Sequence, residues 1–174
     1  VKNCFVETNK VTMADFSIFR EKLNSQISKD NTLDEIIKDM RIIKDDYEIT
    51  LLQKAQNIAE SAYKKVLPMV KPCVSEREIS IELEHQMKLL GAQDVSFDLI
   101  TITGKKTSLP HGVPSSDKIS KGDFFTFDIG ATFMGYHSDM TRTVAVGSAT
   151  DEMKKVYEIV LTDNKKALSA VKSG

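Results

Sequence analysis

Apolar and polar residues alternate from Phe124 to Ala131, with Phe125, Phe127, Ile129 and Ala131 on one face and Thr126, Asp128 and Gly130 on the other. This period of two predicts a half-buried β-strand. A return strand from Tyr136 to Val146 places His137, Asp139, Thr141 and Thr143 on one face, and a two-residue turn at Met134-Gly135 would pair position 139 with 130. Asp128 and Asp139 then look the same way.

Elsewhere the apolar period lengthens to that of helices. A stripe of Leu51, Leu52, Ala55, Ile58, Ala59, Ala62 and Val66 predicts a long amphipathic helix, capped near Asp45 or Asp46 and closed by Pro68 and Pro72. Ser75 and Glu78 have the spacing of a capping box, and the helix they open buries Ile79, Leu83, Met87 and Leu90 before ending at Gly91. Phe97 to Thr103 is predicted as a strand and Gly104 to Lys121 as a long polar loop with two prolines. A last helix begins near Thr150 or Asp151 and presents Met153, Val156, Tyr157, Val160 and Leu161, then Leu168 and Val171. Residues 1–40 give a short strand, Cys4 to Val6, and a helix capped by Thr12 that runs through Phe16, Phe19 and Leu23; they read as the tail of a preceding unit. The expected class is α+β, with helices packed on one face of an antiparallel sheet.

Composition narrows the function. The 174 residues are 41% hydrophobic and 28% charged with a net charge of −1, and the Lys and Arg side chains are dispersed among acids. Nucleic acid and anionic membrane are therefore poor partners. No apolar run approaches a membrane span, the first residues lack the order of a signal peptide, and Cys4 and Cys73 have neither disulfide nor metal-ligand spacing, so the expected location is cytoplasmic. Val1 stands where an initiator Met would, and Gly174 falls where a helix would continue, which leads to the expectation of a piece of something longer.

Candidate chemistry centres on the two acids. Facing carboxylates in a sheet repel and lose hydration, a cost of several kcal/mol that a hard divalent cation relieves; the other reading is a solvated hairpin face with two surface acids. In SLPHGVP, His111 stands between Pro110, which stiffens the backbone, and Gly112, which permits a sharp turn. Such a loop can hold an imidazole over a nearby site, although loop histidines are common. His137 is either a ligand or a solvated strand-end residue, and His85 reads as helix surface.

The stretch SLPHGVPSSDKISKGDFFTFDIGATFMGYHSDMTRTVAVG closely resembles the first metal-binding half of the pita-bread metallopeptidases, the family of Xaa-Pro aminopeptidase, prolidase, methionine aminopeptidase and creatinase. The His111 loop, the Asp128 strand and the strand from Ser138 to Thr143 follow the family order and spacing. Arg41-Ile42-Ile43-Lys44 resembles the lead-in to the catalytic domain, giving 1–40 as the end of an N-terminal domain and 41–174 as the first half of the catalytic domain. The resemblance implies that Asp128 ligates one metal ion, Asp139 bridges two, Thr141 supports them from behind, and His111 contacts the scissile peptide or its tetrahedral intermediate. It further implies a pair of divalent ions, manganese first with cobalt or zinc possible, which activate a water. The remaining ligands, a His and two Glu, come from the second half of the fold in family members, so weak or no metal binding and no activity are expected of this chain alone. The LPHG form of the loop resembles bacterial Xaa-Pro peptidases, implying an aminopeptidase or dipeptidase acting on peptides with proline in second position. A homo-oligomer is expected, and a non-catalytic peptide- or protein-binding module of the same fold is the alternative.

Overall fold

The computed structural model describes residues 3–172; the terminal positions Val1 and Gly174 lie outside the described residues. The chain divides into two compact units, residues 1–49 and 50–174.

In the first unit, strand β1 (Asn3–Cys4) pairs in parallel with β2 (Gln26–Ile27), and helices α1 (Met13–Lys22) and α2 (Thr32–Ile42) complete it. Thr12 opens α1 as predicted, in a full capping box with Asp15. The strand is shorter and earlier than the predicted Cys4 to Val6. Helix α2 is an addition to the predicted elements: Leu33, Ile36, Ile37 and Met40 recur at helical spacing, with Ile36 and Met40 half or more exposed. Asp34 on α2 accepts from the Thr8 amide and hydroxyl at 2.9 and 2.8 Å, and these bonds hold its carboxyl below the ordinary range.

The long helix α3 runs from Asp46 to Val66, and Asp45 caps it, accepting from the Glu48 amide at 2.8 Å. Within the second unit it buries Leu51, Ala55, Ile58, Ala59, Ala62 and Val66, which matches the predicted stripe except that Leu52 stays half-buried. Helix α4 (Glu76–Leu89) has the expected Ser75–Glu78 capping box and buries Ile79, Leu83 and Met87, with Gly91 past its end at φ +100°. The predicted strand from Phe97 is a correction: β4 covers only Ile100–Thr103, and a separate short strand, β3 (Asp94–Val95), precedes it.

The hairpin has the predicted register. Strands β5 (Phe124–Ile129), β6 (Ala131–Phe133), β7 (Tyr136–His137) and β8 (Met140–Ala145) form two antiparallel three-stranded sheets, ordered β4-β5-β8 and β3-β6-β7. Met134 at φ 48° and Gly135 at φ 79° make the two-residue turn, both central residues having the positive φ that matches strand twist. Phe125, Phe127, Ile129 and Ala131 are fully buried, each large side chain contributing about 1.5–3 kcal/mol by leaving water. The core lies between this face and helices α3 and α4, with Tyr63 of α3 meeting Phe127 edge-on at 5.1 Å between ring centroids. Helix α5 (Asp151–Ala170) starts at Thr150 as expected, but its apolar stripe is exposed, including Val156, Ile159 and Val160.

Candidate metal and peptide site

Gly130 marks the point where the long hairpin changes sheets. A Cβ there would stand 1.9 Å from the Ser138 carbonyl oxygen, so only glycine lets the two backbones come this close. Across from it the ladder is interrupted: the Ser138 hydroxyl accepts from the Ala131 amide at 2.9 Å, and the Ser138 amide donates to the Ala131 carbonyl at 3.0 Å. Asp139 follows immediately, between β7 and β8.

Asp128 pairs in register with Thr141, whose hydroxyl donates to its Oδ1 at 3.0 Å. On the same face Thr126 and Thr143 share a hydrogen bond of 3.0 Å. Asp139 reaches solvent, yet the surrounding protein removes enough hydration to raise its carboxyl above the ordinary range, and the charge of Asp128 and a hydrogen bond with it push the same way. Two carboxylates held on one face repel, and a cation relieves that repulsion as a shared proton would. The donor set therefore fits a hard divalent ion, which prefers oxygen ligands. It supplies only part of a coordination sphere, since among the described residues no group of three His, Cys, Asp or Glu side chains converges.

His111 lines one open cleft of about 600 Å³ with Asp128 and Asp139. Phe97, Leu99, Ile100 and Val113 give the cleft its apolar walls, and its size is that of a small-ligand site. The other histidines do not share it: His137 binds the Thr132 hydroxyl through Nδ1 at 2.9 Å and is exposed, and His85 is exposed on α4. Cys73 is an exposed turn residue at φ 73°.

One polar centre was not singled out from the sequence. Glu76 is fully buried and accepts from Thr103, Lys106 and Ser115, residues far along the chain from it. Next to the N-cap, an acid reads simply as a complement to the helix dipole; only the fold reveals what else it touches.

A model of metallopeptidase family M24 matches residues 50–174. The Xaa-Pro dipeptidase of Pyrococcus horikoshii is 40% identical over 153 residues, 88% of this chain and 44% of the relative. Among solved structures, an Xaa-Pro dipeptidase from Bacillus anthracis superposes with a TM-score of 0.92 at 38% identity, covering 99% of this chain and 48% of that one. An X-Pro aminopeptidase from Thermotoga maritima gives 0.90 at 32% identity, covering 100% and 49%. The chain thus spans about half the length of the relatives it matches, consistent with the first half of a pita-bread domain. No helix among the described residues is long and apolar enough to cross a membrane. By its sequence match and by its fold, the chain belongs to metallopeptidase family M24.

Proposed function

We propose that this chain contributes the first half of the active site of an exopeptidase that hydrolyses the bond between an N-terminal residue and proline. The observation that carries this reading is the convergence of Asp128, Asp139 and His111 on one cleft. Family membership and relatives named Xaa-Pro dipeptidase support the substrate class. In this reading residues 1–40 close an N-terminal domain and 41–174 open the catalytic one.

Asp128 and Asp139 hold divalent cations, manganese first, and Thr141 keeps Asp128 turned toward them through its hydroxyl. When bound, such ions supply the Lewis acidity that makes water a nucleophile at neutral pH. His111 orients the scissile peptide and donates to its carbonyl oxygen as negative charge develops there. Phe97, Leu99 and Val113 offer the apolar wall of the cleft against which a proline ring packs. The free cysteines Cys4 and Cys73 support a cytoplasmic location.

The test joins this chain to the second half of the domain. With manganese, the joined protein hydrolyses Xaa-Pro dipeptides and leaves their Xaa-Ala counterparts largely intact; binding of the Xaa-Pro peptide without hydrolysis would favour the non-catalytic module instead. The 174-residue chain alone binds manganese weakly, with Kd above about 10⁻⁴ M by calorimetry, because two carboxylates and water make a loose site. Sedimentation of the same chain checks the expected self-association.

A further inference from the structure

Burying a carboxylate charge costs several kcal/mol unless the surroundings answer it, and Glu76 is fully buried at the start of α4. Four donors converge on it: the Thr103 amide on Oε1 at 2.9 Å, and on Oε2 the Lys106 ammonium at 2.7 Å with the Ser115 amide and hydroxyl, each at 2.9 Å. Burial alone would raise the Glu76 carboxyl, but these bonds outweigh it and lower the net value, so the group stays ionised. Lys106 also reaches the Ser115 hydroxyl at 2.7 Å and Asp117 at 2.8 Å. Main-chain bonds repeat the tie, from the Glu76 amide to the Asp117 carbonyl at 3.1 Å and from the Arg77 amide to the Ser115 carbonyl at 3.0 Å.

These partners are not scattered. Thr103 and Lys106 lie where the loop leaves β4, and Ser115 and Asp117 lie where it returns, so one carboxylate draws the two ends of segment 107–114 together. His111 stands in that segment. Among the described residues its ring makes no hydrogen bond, and its place is set by its backbone. The loop is also pressed down beside it: a Cβ on Gly112 would come within 2.7 Å of Ile102 Cδ1.

We propose that Glu76 is a positioning residue for His111: by clamping Lys106 and Ser115 it fixes the loop that holds the imidazole over the Asp128–Asp139 cleft. A helix-dipole role would be served equally by an exposed acid. It would not call for four donors from both ends of one loop. The catalytic arm of the test rests on the peptidase reading, and the conformational arm does not.

In the joined protein, Glu76→Gln removes the charge and turns an amide toward Lys106 and Ser115. It should lower kcat/KM about tenfold, the scale of a misplaced catalytic group. In a His111→Ala background the same change should cost less than about twofold, since a residue that acts through His111 has nothing left to act on. Equal losses in both backgrounds overturn the proposal. In the 174-residue chain, NMR reads the loop directly: Glu76→Gln should shift the His111 ring resonances and raise fast motion in 107–114, with the α3 and β5 amides unchanged. A folded variant with an unmoved His111 and a rigid loop also overturns it. If the unsubstituted joined protein has no peptidase activity, the peptidase reading fails and the NMR result still decides the clamp. Should Glu76→Gln not fold, Ser115→Ala and Lys106→Met remove one donor each, and the same loop and coupling measurements apply.

Discussion

Glu76 and the Asp128–Asp139 pair lie in the same unit, and their surroundings treat carboxylate charge in opposite ways. Glu76 receives four donors, one of them a cation, and its carboxyl sits below the ordinary range although burial opposes this. Asp139 faces another acid, and its carboxyl is raised by lost hydration and by the charge of Asp128. Asp128 has one neutral hydroxyl from Thr141. A protein that needs a carboxylate for architecture surrounds it with donors, as here at the base of the His111 loop. One that needs a carboxylate for a cation leaves its lone pairs facing open space. The difference in donors separates a structural acid from a binding acid, and it runs parallel to burial: Glu76 is fully buried and Asp139 is exposed.

The sharpest way to break this comparison is to remove one charge from the pair. In the joined protein Asp139→Asn should lower activity at least about a thousandfold, the several kcal/mol that a lost cation contributes. Asp163→Asn, on the exposed α5, should leave activity near that of the parent. In the 174-residue chain Asp139→Asn should leave thermal stability equal or slightly higher, because it relieves repulsion. A marked loss of Tm there would mean that Asp139 is structural after all.

Glu76 should behave in the reverse sense. Glu76→Ala strands two amides, the Ser115 hydroxyl and part of the interactions of Lys106, which is itself about a third exposed. Unsatisfied buried donors cost about 1–3 kcal/mol each, and with relaxation the expected loss is about 3 kcal/mol by urea unfolding. A loss below about 1 kcal/mol would remove the contrast with Asp139.

His111→Ala sharpens the comparison from the catalytic side. The ring is exposed and contributes nothing to the core, so Tm should stay within a few degrees. kcat/KM should fall about a hundredfold in the joined protein, the usual loss for a positioned acid-base or oxyanion group. Large destabilisation with unchanged turnover would return His111 to the ordinary loop histidines.

The contrast also marks what could be read in the sequence. The Asp128–Asp139 geometry was legible because one rule governs it: alternation assigns faces, and a turn with two positive-φ residues sets the register. The α3 and α4 stripes and the caps at Thr12, Ser75 and Thr150 were legible for the same local reason. Helix α2 carried the same local signal, since Leu33, Ile36, Ile37 and Met40 follow the helical period, although none of its residues is fully buried. The break at Gly130, where Ser138 replaces a ladder partner, follows no such period, and the strand predicted from Phe97 begins only at Ile100. Glu76 was hidden most deeply. Its partners lie 27, 30 and 39 positions away, beyond any periodicity.

Two residues beyond Glu76, Glu78 offers the mildest test, being a carboxylate with donors but in water. It accepts from the Ser75 hydroxyl and amide at 2.6 and 2.7 Å and from Lys118 at 3.1 Å. The Ser75 hydroxyl, then its amide, then Lys118 push its carboxyl down from 4.5 to about 2. A lowered folded-state value means that the ionised form favours the fold: the contribution is complete above pH 4.5 and is lost as pH falls toward about 2. The Tm gap between the parent chain and Glu78→Gln should therefore be constant above pH 5 and narrow steadily from pH 4.5 to 3. Ser75→Ala, which removes the other half of the capping box, should cost about 1 kcal/mol at neutral pH. A gap indifferent to pH would show that Glu78 acts through its shape alone, and donors would then no longer suffice to mark a carboxylate as structural.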